Sequence, residues 1–348
     1  MHTDRDNRPS LNNKKGSEGP IYKVCPKIVV LSKLCTPFFL LCREKSAILC
    51  YMFKKLFLLF FLLFFLGCGS TPPIVPLSQS QISTSTPTLP EKKFQFTGPW
   101  EPLLFESFYT SLYPVPKNIP AIKGGIVPHH LLAGAIDATF FQTISVQNPS
   151  VIVVIGPNHF GRGQGEIIST ERNWKTPFGE VETNQDIVRI LTKEKIVTIN
   201  EDVMKEEHST YTIIPFIRYS LKHSTVVPLI VQPNASTSTM DHLVDTLAKN
   251  LPPDAVVVGS IDFSHYKTLT LANQNDEKTI QAIHDFSYDT IPTLDVDSPQ
   301  SIYAILKLME IFDAKKIVHE IHSNSAIITH DVSAKETTSY YSPYFSQY

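Results

Sequence analysis

The run Val151 to Ile155 constrains this chain more than any other stretch: five consecutive residues, all apolar and all β-branched. A strand with one wet face alternates apolar and polar residues. An unbroken run needs cover on both faces, as in the middle of a parallel sheet packed between helices. Val256 to Gly259 and Val226 to Val231 repeat the pattern, and shorter strands are expected at 123–127, 317–322 and 339–345. Between them lie stretches of helix composition at 131–144, 186–191, 212–221, 240–251, 273–286 and 301–312. The alternation predicts an α/β fold with a largely parallel central sheet flanked by helices. Pro228 has no N–H for the ladder, which puts its strand near an edge or a bulge. Ser209 is the expected N-cap of the helix over 212–221.

Composition enters through the partners it excludes. The 348 residues are 42% hydrophobic and 18% charged, with a formal net charge of -2. A chain this apolar folds, and one this close to neutral lacks the basic surface that nucleic acid requires. Cysteine is informative by position: Cys25, Cys35, Cys42, Cys50 and Cys68 all precede residue 69. The globular part therefore has no disulfide, zinc ribbon or thiol nucleophile, and a metal there must be held by His, Asp or Glu.

The amino-terminal region reads as targeting sequence. Leu56 to Leu66 is an apolar run of 11 residues behind Lys54 and Lys55, followed by Gly67 and Cys68. A bilayer span takes about 20 residues, so the run suits the core of a signal peptide. Its Gly-Cys ending resembles a bacterial lipoprotein signal, with cleavage before Cys68 and lipid on that thiol. Phe65 stands where such signals usually carry Leu. Residues 52–67 are thus the expected signal peptide, with Met52 as the true start and 1–51 as upstream sequence called in error. Residues 68–97 are a Ser/Thr/Pro-rich linker. The expected location is the bacterial cell envelope, on an outer-membrane or periplasm-facing lipid anchor. The folded domain is expected over 98–348.

Histidines collect where such a fold places ligands, beyond the carboxyl ends of strands. His129 and His130 follow one apolar strand, His159 follows a second, and Asp262 and His265 follow a third. Singly, each is an ordinary turn histidine. Together they point to a shared metal or catalytic cluster, since neutral imidazole is the commonest metal ligand. Two histidines and a carboxylate suit iron, while related sets hold zinc and activate water.

Five words in order make the sequence resemble the Memo-like family, also called AmmeMemoRadiSam system protein B. They are Ile126-Val127-Pro128-His129, Gly156-Pro157-Asn158-His159, Lys175 to Gly179, Glu207-His208-Ser209, and Ser260-Ile261-Asp262-Phe263-Ser264-His265. The resemblance runs from about Gly124 to Phe345. It implies a fold like that of class III non-haem extradiol dioxygenases, with His129 and His159 as metal ligands. It also implies an Asp262/His265 pair suited to acid–base work. His208 falls in a family word and joins the catalytic candidates, with a plain helix-start histidine as the alternative. Glu207 is expected to cap or support the same turn. Trp174 to Phe178 line the pocket mouth or pack in the core.

The chain departs from the family in two places. The family's first word continues Ala-Gly-Tyr, whereas here His130-Leu131-Leu132 follows, which leaves His129 and His130 both open as ligand. Where some members supply a cysteine as third ligand, this chain reads Leu294-Asp295-Val296-Asp297-Ser298-Pro299. Asp297 is the candidate third ligand, with Asp295 as alternative, unless Asp297 serves only as the cap of the next helix. The functions in play are an iron-dependent oxidoreductase on a small molecule (copper or zinc being the other metals considered), a zinc-type hydrolase, and a non-catalytic lipoprotein that binds a ligand or partner.

Overall fold

The computed structural model describes residues 95–331 and 333–347. The expected upstream segment 1–51, the signal peptide 52–67, Cys68 and all but the last residues of the linker lie outside the described residues. The described residues form one compact unit. Among the described residues no helix is long and apolar enough to cross a membrane.

Four parallel strands make the heart of an eight-stranded sheet. They are β2 (Ile122–Val127), β3 (Val151–Pro157), β8 (Thr225–Val231) and β9 (Val256–Ser260), lying side by side as β2-β9-β3-β8. On the β2 side the sheet continues with antiparallel β11 (Ser339–Ser346) and β10 (Lys316–Asn324). On the β8 side it continues with antiparallel β4 (Ile167–Ser169) and then β7 (Thr198–Ile199). A separate small sheet joins β1 (Gln95–Phe96), β5 (Asn173–Thr176) and β6 (Gly179–Val181).

The fold is the expected α/β class, and β3 shows why. Val151, Val153 and Ile155 enter one apolar core, while Ile152 and Val154 enter the other. Strand geometry sends alternate side chains to opposite faces, so a continuous apolar run feeds both cores at once. One core is closed by α3 (Gln185–Lys193), α7 (Thr237–Asn250), α8 (Leu269–His284) and α9 (Pro299–Ile311). The other is closed by α1 (Pro102–Phe108), α2 (Gly134–Ile144) and α6 (Ile214–Ser220). Burying one Val or Ile contributes roughly 1.5–3 kcal/mol.

Two local expectations are corrected, and one left open is decided. The strand with Pro228 is interior, third from the sheet's end. Its outer side is laddered to β4 only at Ile230 and Val231, and bridged at Val226 to Thr183. Pro228 falls in the gap, where Ser169 Oγ donates to its carbonyl at 2.7 Å, so no ladder N–H is missed. Ser209 is not a cap. The helix expected over 212–221 is α6, and two short helices precede it, α4 (Glu201–Glu206) and α5 (His208–Tyr211), the N-cap of α5 being Glu207. Trp174 is core: buried in β5, its ring lies edge-on to Phe96 at 4.8 Å.

Candidate metal centre

Three adjacent parallel strands, β2, β9 and β3, end side by side, and their loops carry His129, Asp262 and His159. Two more segments complete the site. The turn between α4 and α5 brings Glu207 and His208, and the segment before α9 brings Asp297. Gly156 makes the first approach possible. A Cβ there would lie 2.9 Å from Ser209 Oγ, so only glycine lets α5 close on the end of β3. Ser209 Oγ then donates to the Pro157 carbonyl at 2.8 Å. For α9 the cap is Ser298, whose hydroxyl accepts from Ser301 N–H, with Pro299 in the first turn. Asp297 is therefore not spent as a cap, and its carboxylate turns to the site.

The imidazoles of His129 and His159 converge, with ring centroids 4.9 Å apart and planes at 86°. His208 stacks on His159 at 4.0 Å and 23°. Asp297 Oδ2 lies 3.2 Å from His129 Nε2 and 3.8 Å from His159 Nε2. Asp262 Oδ2 lies 3.7 Å from His129 Nε2, and 3.9 Å from Nε2 of His265 at the rim. Two sets of candidate ligand atoms each fall within 4.8 Å of one another: those of His129, His159 and His208, and those of His129, Asp262 and Asp297.

Hydrogen-bond bookkeeping shows which nitrogens are free. Ser260 Oγ has one proton and gives it to the Ser209 carbonyl. It can then only accept from His129 Nδ1, which lies 3.1 Å away. Likewise His159 Nδ1 donates to Glu207 Oε1 at 2.7 Å, and His159 N–H donates to Glu207 Oε2 at 2.9 Å. Both rings thus spend Nδ1 on the scaffold and aim Nε2 inward. A carboxylate behind a ligating imidazole is the usual way a protein fixes the ring for a metal. His129 Nε2 and Asp297 Oδ1 are buried with no hydrogen-bond partner. Orphaned buried polar atoms are rare and costly. Two ligands about 2.1 Å from one ion stand roughly 3.0–3.4 Å apart, near the His129–Asp297 spacing. These buried His and Asp groups could hold a metal ion, and the donor set fits one.

The electrostatics agree. Burial pushes the His129 imidazolium down, but the carboxylates of Asp262 and Asp297 outweigh it and hold the pKa above the ordinary value. His159 is opposed by burial and lifted by Asp297 and Glu207 to about 9. Burial raises Asp297 in its turn, yet His129 and His159 draw it well below the carboxylate range. His208 goes the other way, to about 4, through burial and the neighbouring His159 and His129. Burial works against charge on His129, His159 and Asp297, and the facing opposite charges work for it.

The alternatives left open by sequence take other roles. His130 Nδ1 is bound to Tyr340 Oη at 2.7 Å and belongs to neither ligand group. Asp295 accepts from Asn275 Nδ2 at 2.8 Å. Sequence reasoning missed Ser260 altogether and gave Glu207 only the turn. Glu207 does cap α5, accepting from Ser209 N–H at 3.0 Å, but the same carboxylate orients His159. Ser260 opens the fifth sequence word, so its position was visible while its partner was not.

A parallel sheet with a His/Asp cluster beyond its strand ends is the architecture of a ligand-binding α/β protein. A family model described as Memo-like protein matches residues 103–342, and the chain belongs to that family. A MEMO1 family protein of Methanothermobacter thermautotrophicus is 30% identical over 180 residues, covering 48% of this chain and 65% of its own. One of Methanococcus maripaludis is 29% identical over 243 residues, covering 63% and 85%. One of Pyrobaculum aerophilum is 30% identical over 176 residues, covering 49% and 62%. The chain thus spans about three fifths to two thirds of the length of most of these relatives. A crystal structure of an uncharacterized protein from Escherichia coli K12 aligns with 63% of this chain and 99% of its own, at TM-score 0.40 and 13% identity. That likeness is too loose to carry function.

Proposed function

We propose that this chain is a metal-dependent oxidoreductase acting on a small molecule, with His129, His159 and Asp297 holding iron. The observation that carries the reading is His129 Nε2: buried, without a hydrogen bond, and aimed at the carboxylate that His159 also faces. Two histidines and one carboxylate on an iron leave positions open for substrate and oxygen, and the metal supplies the redox chemistry. The remaining residues handle protons and charge. His208 is neutral near pH 7 and can accept a proton from a substrate hydroxyl. Asp262 accepts from His129 N–H at 3.1 Å, and with His265 at the rim it forms the acid–base pair between site and solvent. We further propose that the domain is tethered at the cell envelope through lipid on Cys68, a reading supported by the apolar run Leu56 to Leu66 and the Gly67-Cys68 that follows it.

A second reading has its own observation. The three-imidazole group of His129, His159 and His208 is a set that suits zinc and hydrolysis, with His265 or Asp262 as base. Metal analysis of the full chain, purified and reconstituted without oxygen, separates the two. One equivalent of iron, lost in His129→Ala and His159→Ala but retained in His208→Ala, supports the oxidoreductase. Zinc lost in His208→Ala supports the hydrolase. No metal under any condition overturns both. Membrane fractionation tests the tether: Cys68→Ala should release the protein, and unchanged fractionation would remove the anchor from the proposal.

A further inference from the structure

Outside the ligand cluster, one buried carboxylate joins three parts of the fold. Asp276 sits in the first half of α8 and is fully buried. Its Oδ1 accepts from Ser264 Oγ at 2.9 Å, and its Oδ2 lies 2.9 Å from His322 Nε2 on edge strand β10. Ser264 is also fully buried and lies between Asp262 and His265, in the loop that carries both toward the site. Asp276 is not a helix cap, because seven residues of α8 precede it. A carboxylate in a helix–sheet seam is unfavourable unless its oxygens are bonded, and an apolar residue would fill the seam without that demand. Here each oxygen has a donor from a different element.

The loop explains what such a bond accomplishes. Its backbone is fixed toward β2 by Ile261 N–H to the Val127 carbonyl at 2.9 Å. Toward β11 it is fixed by Phe263 N–H to the Ser339 carbonyl and by Ser339 N–H to the Ser264 carbonyl, both at 2.9 Å. Asp276 holds it from α8. Within the loop, Asp262 N–H donates to Asp297 Oδ2 at 3.0 Å, and Asp297 N–H returns to the Asp262 carbonyl at 3.2 Å. A shift at Ser264 is therefore passed to the carboxylate that faces both imidazoles.

We propose that Asp276 is a positioning residue: through Ser264 and His322 it ties edge strand β10 and helix α8 to the loop that sets Asp262 and Asp297 against the metal-ligand histidines. The inference rests on the metal reading of the site, and the test separates the two. His322 is half-exposed, so its variants can be made without opening the core. Cobalt(II) is titrated into full-length wild type, His322→Ala, His322→Gln and Asp276→Asn, with affinity and visible spectrum recorded. Histidine nitrogen resonances of the metal-free proteins are recorded alongside.

Loss of a partner one step behind the ligands weakens metal binding about 10–100-fold. His322→Ala, a step further out, should weaken cobalt about tenfold and alter the ligand-field bands. His322→Gln, which can still donate to Asp276, should restore both. In the metal-free wild type, His322 should carry its proton on Nε2. Unchanged affinity and spectrum in both His322→Ala and Asp276→Asn overturns the inference while leaving the metal site standing. If wild type binds no cobalt, the metal reading fails, and the resonances decide the positioning. Shifted His129 or His265 signals in His322→Ala support it, and unmoved signals overturn it.

Discussion

Two pairs of histidines in this domain are held by hydrogen bonds through opposite ring nitrogens. At the sheet edge, His284 Nε2 lies 2.8 Å from Glu320 and His322 Nε2 lies 2.9 Å from Asp276. His284 Nε2 also lies 3.1 Å from Tyr341 Oη. At the strand ends, His129 and His159 use Nδ1 for Ser260 and Glu207, and turn Nε2 toward a shared Asp297 that neither reaches in good geometry. The first pair has its Nε2 atoms at hydrogen-bond distance from carboxylates. The second pair could serve as ligands, because its scaffold bonds hold the rings and leave the inward nitrogens for something else.

The contrast breaks most easily at the ligand nitrogens. His129→Ala and His159→Ala should each abolish stoichiometric metal, whereas His284→Ala should bind as wild type does. Equal loss in all three, measured by metal content, would erase the distinction. Next is the scaffold bond. Glu207→Gln should lower metal affinity by roughly 10–100-fold with the fold retained, because an amide orients His159 less firmly and removes a charge. Chelator competition on the purified variant gives that number.

A third effect follows from the protons. Metal must displace the proton that His159 retains up to about pH 9. Apparent affinity should therefore rise about tenfold per pH unit between pH 7 and 8.5, and calorimetry in two buffers should show proton release. A flat profile would mean that His159 is not a ligand. The same group sets a smaller stability effect with a defined sign. Its folded pKa lies above its unfolded value, so its contribution is complete below about pH 6.5 and is lost as pH rises through about 9. Melting of metal-free wild type should fall across that window, and His159→Ala should flatten the fall. Least of all, His284→Ala should cost under about 1 kcal/mol in denaturant unfolding, since its hydrogen bond with Glu320 is half in water.

Legibility in the sequence followed burial. β3, β9 and β8 were readable because a strand covered on both faces must be apolar at every position. Short β4, β7 and β1 were not, because two or three residues carry no period and pair only where tertiary contacts bring them. Pro228 misled for the same reason: whether a strand lacks a donor depends on what lies opposite, here a gap spanned by Ser169. Ser209 resembled a cap, but the Glu207 side chain reached the backbone first.

The sequence by itself determined the class of fold, the strand ends as the place for chemistry, and the histidines from which a cluster there could be drawn. Those follow from side-chain chemistry and chain periodicity, which are local. Only the tertiary structure decided that His129 rather than His130 faces the cluster, since Tyr340 claims His130. It alone freed Asp297 from capping by giving that task to Ser298, and aimed each imidazole by settling which ring nitrogen meets Ser260 or Glu207. A hydrogen bond is directional and each proton is given once, so such choices exist only when partners distant in the chain are in place.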